Sequence, residues 1–481
     1  MFGNVNIPGL GSGPEATANL IKAMTEGSGI ATPNAAVPGD ASPLNIQDLQ
    51  QTLANATYAA DDAALFKVLQ TKTYLAKSPT VQYDLVTSYG NAPGIWGREI
   101  GLGVEQDSTY VRKTMESAIM NVSCRISFRA ASAQNIGNLQ LRTIENNNKA
   151  ALMAAHIDRA LYTGNRSIIP EQFDGIERLI QIDAPLNLVD RRAGALNLSF
   201  VNQMCKRVFS PPNYGKVTHV FMSPGIFSDI LNEPTAVGTG IIRQQNGESN
   251  VALGIGIERI ITQFGTVNLV ADVFIQPGQP ATDLGDGPTG RPTAPVSAGA
   301  ITTPVNAASL FAAGDAGTYI YKIAAINYLG FSPVLTTAGV TVAAGDSANI
   351  PVARGDTITN GYVVYRSAKD GLADTCKEAF RIAATGPSQT IIDLNAYLPG
   401  TSKAYFLSLD KVSPRDNQPS LQWCQLTPMV SIDLAVLDTT TRWMLYNDAG
   451  LIIRIPKQHL VAYNLIESDT ATAQATGNNW I

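Results

Sequence analysis

The stretch AQNIGNLQLRTIENNNKAALMAAHIDRALYTG, residues 133–164, predicts one uninterrupted helix of about thirty residues, roughly 45 Å long at 1.5 Å per residue. Apolar residues recur along it at three- and four-residue spacings and form one narrow stripe. Its polar side comprises Asn146, Asn147, Asn148 and Arg159. Ser132 can cap the first turn, and Gly164 can end the helix in the left-handed conformation. We therefore expect a rod that packs along one stripe only.

The composition argues against several classes of protein. Only 15% of the 481 residues are charged and the formal net charge is -5, so we expect no basic surface for direct nucleic-acid binding. The four cysteines are scattered without a CxxC pair, which favours buried thiols over a disulfide framework. No apolar run reaches about eighteen residues, and the N-terminus has neither the basic region nor the apolar segment of a secretion signal. We expect neither a membrane span nor a secretion signal.

The chain before the rod predicts an arm, a helix and a projecting loop. Residues 1–45 are rich in Gly, Pro, Ala and Asn, which is typical of an extended arm. The apolar pattern of residues 45–75 predicts a helical segment. Two β segments follow at residues 81–87 and 114–128, and the Gly-rich connection between them is too long for a tight turn. We expect a projecting two-stranded loop.

The tip of this loop is the best candidate for a contact site. Trp96, Arg98 and Glu99 place an aromatic residue beside two opposite charges, which suits a partner surface. The alternative is a solvated loop that carries one tryptophan. The sequence leaves both interpretations open.

After the rod, strands and helices alternate. Residues 199–209 predict a helix, residues 217–222 a buried strand, and Pro224 opens a further helix. Residues 257–264 and 267–275 predict two more strands. This part is therefore an α/β or α+β domain.

A Pro/Gly-rich linker begins at residue 276 and leads into a segment of short strands. One face of its first strand region carries Tyr319, Tyr321, Ile323 and Ala325. About 110 residues of such strands fit one immunoglobulin-sized sandwich. The α/β character resumes at about residue 407, so the sandwich is an insertion. We expect it to decorate the outer surface of the protein.

The last part of the chain is predicted to contain three strands. Residues 443–446 and 451–455 would be two strands around a turn at residues 447–450, where Asn, Asp and Gly favour a reversal. The last strand is predicted at residues 460–465, before a polar tail.

No pattern of catalytic, metal-ligating or cofactor-binding residues is present. The three histidines, His156, His219 and His459, are far apart and form no HExxH motif. Residues 285–290 match GxGxxG but contain a proline and lead into no helix, so they cannot cradle a phosphate. We expect no enzyme activity, no catalytic residue, no metal and no cofactor.

The order of these elements resembles that of the HK97-type major capsid proteins of tailed double-stranded DNA bacteriophages. The similarity covers about residues 45–275 and 405–466 and includes HIDRALYTG at the end of the rod and RWMLYNDAGLIIRIP near the end of the chain. It implies an α+β HK97-like capsid fold with an inserted all-β Ig-like sandwich. The implied divisions are an N-terminal arm (1–45), a helical segment (46–78), an E-loop (79–132), a spine helix with the P-domain and part of the A-domain (133–284), the inserted sandwich (285–406) and the rest of the A- and P-domains with a C-terminal tail (407–481).

The resemblance also implies a function. The subunit would self-assemble into hexamers and pentamers of an icosahedral head shell in the host cytoplasm and would reside in the virion. Its partners would be itself, a scaffolding protein, a portal and a decoration protein, around double-stranded DNA bound without sequence specificity. The Gly-rich loop tip has no lysine, so we expect no covalent cross-link from it. Alternatives are the shell protein of an encapsulin-type nanocompartment and an Ig-containing surface adhesin.

Overall fold

The computed structural model describes residues 57–90, 96, 99–100, 105–132, 141–231, 259–281, 290–409, 419–435 and 438–467. The predicted arm at residues 1–45 lies outside these residues. The architecture is mixed α/β with many strands and few helices. The α-helices of the described part are α1 (Ala64–Gln70), α2 (Phe128–Ser132), α3 (Leu141–Thr163), α4 (Ile176–Asp183), α5 (Leu198–Phe209) and α6 (Pro224–Leu231).

The strands fall into two groups, those of the body (described residues 57–281 and 396–467) and those of the module (residues 290–395). The first strands of the body are β1 (Thr73–Leu75), β2 (Thr80–Ser88), β3 (Thr109–Glu116), β4 (Ala118–Ser127), β5 (Leu188–Gly194), β6 (His219–Met222), β7 (Arg259–Thr262) and β8 (Gly265–Ala271). Those of the module are β9 (Val296–Ser297), β10 (Gly317–Tyr319), β11 (Tyr321–Asn327), β12 (Gly330–Phe331), β13 (Leu335–Thr336), β14 (Val340–Val342), β15 (Ala348–Ala353), β16 (Gly361–Arg366), β17 (Lys377–Ala383) and β18 (Ser388–Asp393). The body is completed by β19 (Ser402–Leu407), β20 (Leu421–Asp433), β21 (Thr440–Ile453) and β22 (Leu460–Leu465).

The predicted rod is present as α3, whose 23 residues span about 35 Å. Residues 133–140, where we expected its first turns, lie outside the described residues. Its buried stripe is Met153, Ala154, Ala155, Ile157, Leu161 and Tyr162. This stripe packs in one core with α1 and with Trp423 of β20. The rod therefore joins the N-terminal segment to the long strands of the body.

A six-stranded sheet in the order β5-β22-β19-β6-β8-β7 forms the middle of the body. Alternate residues of β19 point to opposite faces of it. Ala404 and Phe406 enter the core formed with α5 and α6, while Tyr405 and Leu407 enter the core of the rod. The sheet is thus covered on both sides, which explains why its central strands β22, β19 and β6 are mostly buried and apolar.

Two predictions in this part were wrong. The expected turn at residues 447–450 is instead the middle of β21, which pairs with β4 on one side and β20 on the other. Asn447 and Asp448 are buried in this strand. They adopt a strand conformation because pairing with the two neighbouring strands outweighs their preference for turns. The helical pattern expected to reach residue 75 ends at Gln70, and β1 pairs in parallel with β20.

The module has its own core between two sheets, one ordered β12-β11-β16-β17 and one ordered β18-β15-β9. In β16, Tyr362 and Val364 enter this core, whereas Val363 and Tyr365 pack with Ile168 of the body. The insertion predicted to end at residue 406 ends earlier, because β19 pairs with β6 and β22 of the body. Whether the module has Ig-like topology stays a prediction.

The expectation that Gly164 ends the rod in the left-handed conformation was wrong. Gly164 does not have a positive φ, so it is no left-handed stop. It is required by close packing, since a Cβ there would lie 2.5 Å from the carbonyl oxygen of Ala160 and 2.7 Å from that of Phe173.

We expect Gly164→Ala to lower the free energy of unfolding by about 1–3 kcal/mol, because both carbonyl groups would have to move. Gly314→Ala is the matched control, since a Cβ at Gly314 has open space. Denaturant titration of the two variants measures the difference. Equal stability of both would show that the rod end is not tightly packed.

Candidate functional site

The predicted projecting loop contains a two-stranded ribbon. We use this name for β2, β3 and the described residues of their connection, 89–90, 96, 99–100 and 105–108. β2 and β3 pair antiparallel from Thr80 opposite Glu116 to Ser88 opposite Thr109. The expected second strand at residues 114–128 is mostly β4, which pairs with β21 instead. Among the described residues no third strand pairs with β2 or β3, so both edges of the ribbon are open. At about 3.4 Å per residue, the paired part is roughly 30 Å long.

The base of the ribbon is fixed to the body by two ion pairs. Lys113 pairs with Asp183 at the end of α4, and both side chains are about one quarter exposed. Glu116 pairs with Arg166 in the segment after the rod. The side chains of Arg166 and Glu116 are 40% and 53% exposed, so the partly buried Lys113–Asp183 pair is the stronger attachment of the ribbon base.

Tyr83 adds a third attachment at the base. Its hydroxyl donates to the carbonyl oxygen of Ile453 at 3.3 Å, and the guanidinium of Arg454 lies 5.8 Å from its ring centre. Burial, followed by the negative charge of Asp183, raises the pKa of Tyr83 to about 12. The phenol therefore stays neutral and keeps its hydrogen bond at physiological pH.

Beyond the base, the ribbon exposes large apolar side chains. They are Val86, Tyr89, Trp96, Ile100 and Tyr110, whose exposed fractions range from 50% to 97%. Val86 and Tyr110 face each other across the two strands. Such a group on a projecting element is typical of a surface that a partner covers.

The structure tests the predicted tip only in part. Trp96 is 97% exposed and Glu99 is exposed, while Arg98 lies outside the described residues. Their role in a contact stays a prediction. The sequence analysis did not identify Val86 and Tyr110, although each lies two residues from a charged residue, Asp84 or Arg112, and so on the same face of its strand.

The expectation that the rod packs along one stripe only was wrong, because its polar side also contacts the body. Asn146 accepts a hydrogen bond from the indole nitrogen of Trp443 at 2.6 Å, and the guanidinium of Arg142 lies 5.2 Å from the same ring. The first turns of α3 are thus attached to β21 through polar groups. The rod supports the strand pair β4–β21 from which the ribbon starts.

A buried pair of carboxyl groups joins the rod to α1. Asp158 and Asp272 are both fully buried, and no described Lys, Arg or His forms an ion pair with either. Asp158 accepts from the backbone N–H of Phe66 at 2.7 Å, and Asp272 accepts from the Tyr162 hydroxyl at 2.8 Å. Burial, followed by the neighbouring Asp272, raises the pKa of Asp158 well above its usual range. Asp158 therefore stays protonated to a higher pH than an exposed aspartate does.

The raised pKa of Asp158 makes the free energy of unfolding depend on pH. Because the folded pKa of Asp158 lies above the unfolded value of about 3.9, the stabilisation is complete below pH 3.9 and is lost as the pH rises towards the folded value. Asp158→Asn keeps the acceptor for Phe66 and needs no proton. Its free energy of unfolding should fall less steeply with pH than that of the wild type, by up to about 1.4 kcal/mol per pH unit. Denaturant titrations between about pH 5 and pH 8 measure both slopes; parallel curves would contradict the raised pKa of Asp158.

The described residues hold no group of three or more His, Cys, Asp and Glu side chains arranged to bind a metal ion. The described helices include none that is long and apolar enough to cross a membrane. His459 is fully buried, and burial lowers its pKa to about 3, so it is a neutral core residue.

No protein-family model matches this chain, and no curated protein matches it. Similar solved structures include the capsid of a native GTA particle, at 9% identity over 90% of this chain and 99% of that chain, with a TM-score of 0.44. The capsid of cyanophage Pam1 has 10% identity over 89% and 98%, with a TM-score of 0.43. The SrpI encapsulin of Synechococcus elongatus has 10% identity over 90% and 100%, with a TM-score of 0.38. These TM-scores are below 0.5, so the function of the chain has to be argued from its own residues.

Proposed function

We propose that this chain is a major capsid protein that self-assembles into hexamers and pentamers of an icosahedral shell around a phage genome. The observation that supports this best is the ribbon, whose apolar side chains are exposed while its base is fixed to the body. Because the base is fixed to the body, we infer that another subunit covers these side chains.

A second copy of the same chain is the simplest partner for the ribbon. In a closed symmetric assembly, the ribbon of each subunit packs on the next subunit. Every ribbon is therefore covered by one neighbour. Stable contacts bury about 800 Å² on each partner, and a ribbon roughly 30 Å long supplies a large share of that area. The rod and the sheet of the body share one hydrophobic core, and we propose that they support the surface on which the neighbouring ribbon packs.

The position of the module supports a surface role for it. The chain that enters the module lies beside the chain that leaves it, since the backbone N–H of Gly278 donates to the carbonyl oxygen of Thr401 at 3.1 Å. The two chain connections of the module therefore lie side by side, and the module interrupts no strand order of the body. We infer that it faces the outside of the shell, where it leaves subunit contacts free.

The remaining parts of the proposal follow from the same role. The arm at residues 1–45, the E-loop at residues 79–132 and the tail within residues 407–481 would be those of a capsid subunit that acts with a scaffolding protein, a portal and a decoration protein. It would have no enzyme activity and no cofactor. With a net charge of -5 it would enclose DNA without sequence-specific binding. It would assemble in the host cytoplasm and reside in the virion.

An encapsulin-type shell protein is the main alternative, because it would need the same ribbon contact. The two differ in what the shell encloses. Particles purified from the natural source would contain double-stranded DNA in the first case and cargo protein in the second. A surface adhesin is less well supported, because it would give no reason for the exposed ribbon.

Trp96→Ala tests the contact at the ribbon tip. We expect it to impair assembly by more than tenfold in yield while thermal unfolding of the subunit stays unchanged, because the side chain is 97% exposed and an aromatic anchor contributes 2 kcal/mol or more, by rough estimate, to a contact. Leu372→Ala, at an exposed apolar residue of the module, is the control and should assemble normally. Electron microscopy and size-exclusion chromatography measure the yield. Normal shells from the Trp96 variant would contradict a role of this residue in assembly.

A further inference from the structure

A cavity of about 220 Å³ lies where the module meets the body. Its walls come from the last turns of α3, from α4, from β17 of the module and from β19. The charged side chains that line it are Arg159, Glu177, Arg178, Glu378, Arg381 and Lys403. Four of these six are cations, so the lining carries an excess of two positive charges.

Both carboxylates of the lining are already used. Glu378 binds Arg381 through both of its oxygens, at 2.7 Å and 3.3 Å. Glu177 binds the ammonium group of Lys403 through both of its oxygens, at 2.9 Å and 2.7 Å. Each carboxylate therefore pairs with one cation, and Glu378 also attracts Arg159 at longer range.

Arg159 and Arg178 form no ion pair with any described residue. Arg178 donates to the side-chain oxygen of Gln181 at 3.0 Å, and Nη1 of Arg159 is buried with no hydrogen-bond partner in the described part of the chain. Burial, followed by the positive charge of Arg381, lowers the pKa of Arg159 to about 10. An arginine of the body and an arginine of the module thus repel each other across the cavity.

We propose that this cavity binds a small, doubly charged oxyanion of the phosphate or sulfate type, between Arg159 and Arg178 of the body and Arg381 of the module. Guanidinium groups bind such anions through charge-assisted hydrogen bonds. The cavity volume of about 220 Å³ leaves room for an ion of this size. The bound ion would offset the repulsion between Arg159 and Arg381 and so stabilise the module on the body.

This site is separate from the ribbon and does not depend on the proposed function. The test is thermal unfolding of the purified full-length chain at constant ionic strength, with chloride replaced stepwise by inorganic phosphate, sulfate or acetate. We expect phosphate and sulfate to raise the unfolding temperature in a saturable way and acetate, with one charge, to have a smaller effect.

Two variants and one control complete the experiment. Arg159→Gln and Arg178→Gln should each weaken the apparent affinity for phosphate about tenfold or more, and the second keeps the test valid if the first does not fold. Arg125→Gln changes an exposed arginine on β4, outside the cavity, and should respond like the wild type. A phosphate effect that does not saturate, that is absent, or that is equal in all four proteins would overturn the proposal.

Discussion

A chain whose residues 86–110 are replaced by Asn-Gly is expected to fold and to build no shells. Leu85 and Val111 face each other in the antiparallel register, so a two-residue turn can close the shortened hairpin. The deletion removes the exposed apolar side chains and leaves the base attached through Lys113, Glu116 and Tyr83. Because nothing in the body core is touched, the unfolding temperature should change by only a few degrees, by rough expectation.

Size-exclusion chromatography and circular dichroism together measure this effect. A folded subunit that elutes as a monomer, beside wild-type protein that assembles, is the expected result. An unfolded variant would show that the ribbon is part of the fold. Closed shells from a folded variant would contradict the role that we assign to the ribbon.

Arg366→Ala is expected to destabilise the module by about 3–5 kcal/mol, because it leaves a buried carboxylate without its cation. Arg366 is only 2% exposed and binds Asp393 and Asn395, each at 2.6 Å. Its guanidinium also lies over the rings of Phe311 and Tyr319 at 5.4 Å and 5.3 Å. The substitution therefore removes a charge, two hydrogen bonds and two ring contacts at once.

A matched ion pair on the surface serves as the control for this effect. Arg112 binds Asp84 on the ribbon at 2.7 Å, and both side chains are more than half exposed. Water and salt screen such a pair, so Arg112→Ala should leave subunit stability unchanged within error. Denaturant titration of both variants gives the comparison. Equal effects would show that the Arg366 network does not stabilise the module.

Features of the fold that depend on local sequence could be predicted. The periodicity of the rod predicted α3, and the alternation of Tyr319, Tyr321, Ile323 and Ala325 placed all four in the core of the module. The start of α6 at Pro224 was also correct. In each case the pattern lies within one element, so it could be read without knowledge of its neighbours.

Features that depend on distant residues could not be predicted. Asn447 and Asp448 favour a turn by themselves, and only pairing with β4 and β20 keeps them in a strand. Asn146 looked solvent-exposed because its partner, Trp443, is 297 residues away. For the candidate site, the sequence indicated an exposed aromatic tip at Trp96, but the ion pairs that fix the base of the ribbon join residues from separate elements.

Electron microscopy of the purified recombinant chain, alone and together with the products of neighbouring genes, tests the central claim most directly. The proposal predicts closed shells, or rings of five and six subunits, in which the ribbon of one subunit lies on the next. Dispersed monomers under both conditions, with Trp96 and Tyr110 still exposed, would contradict assembly through the ribbon.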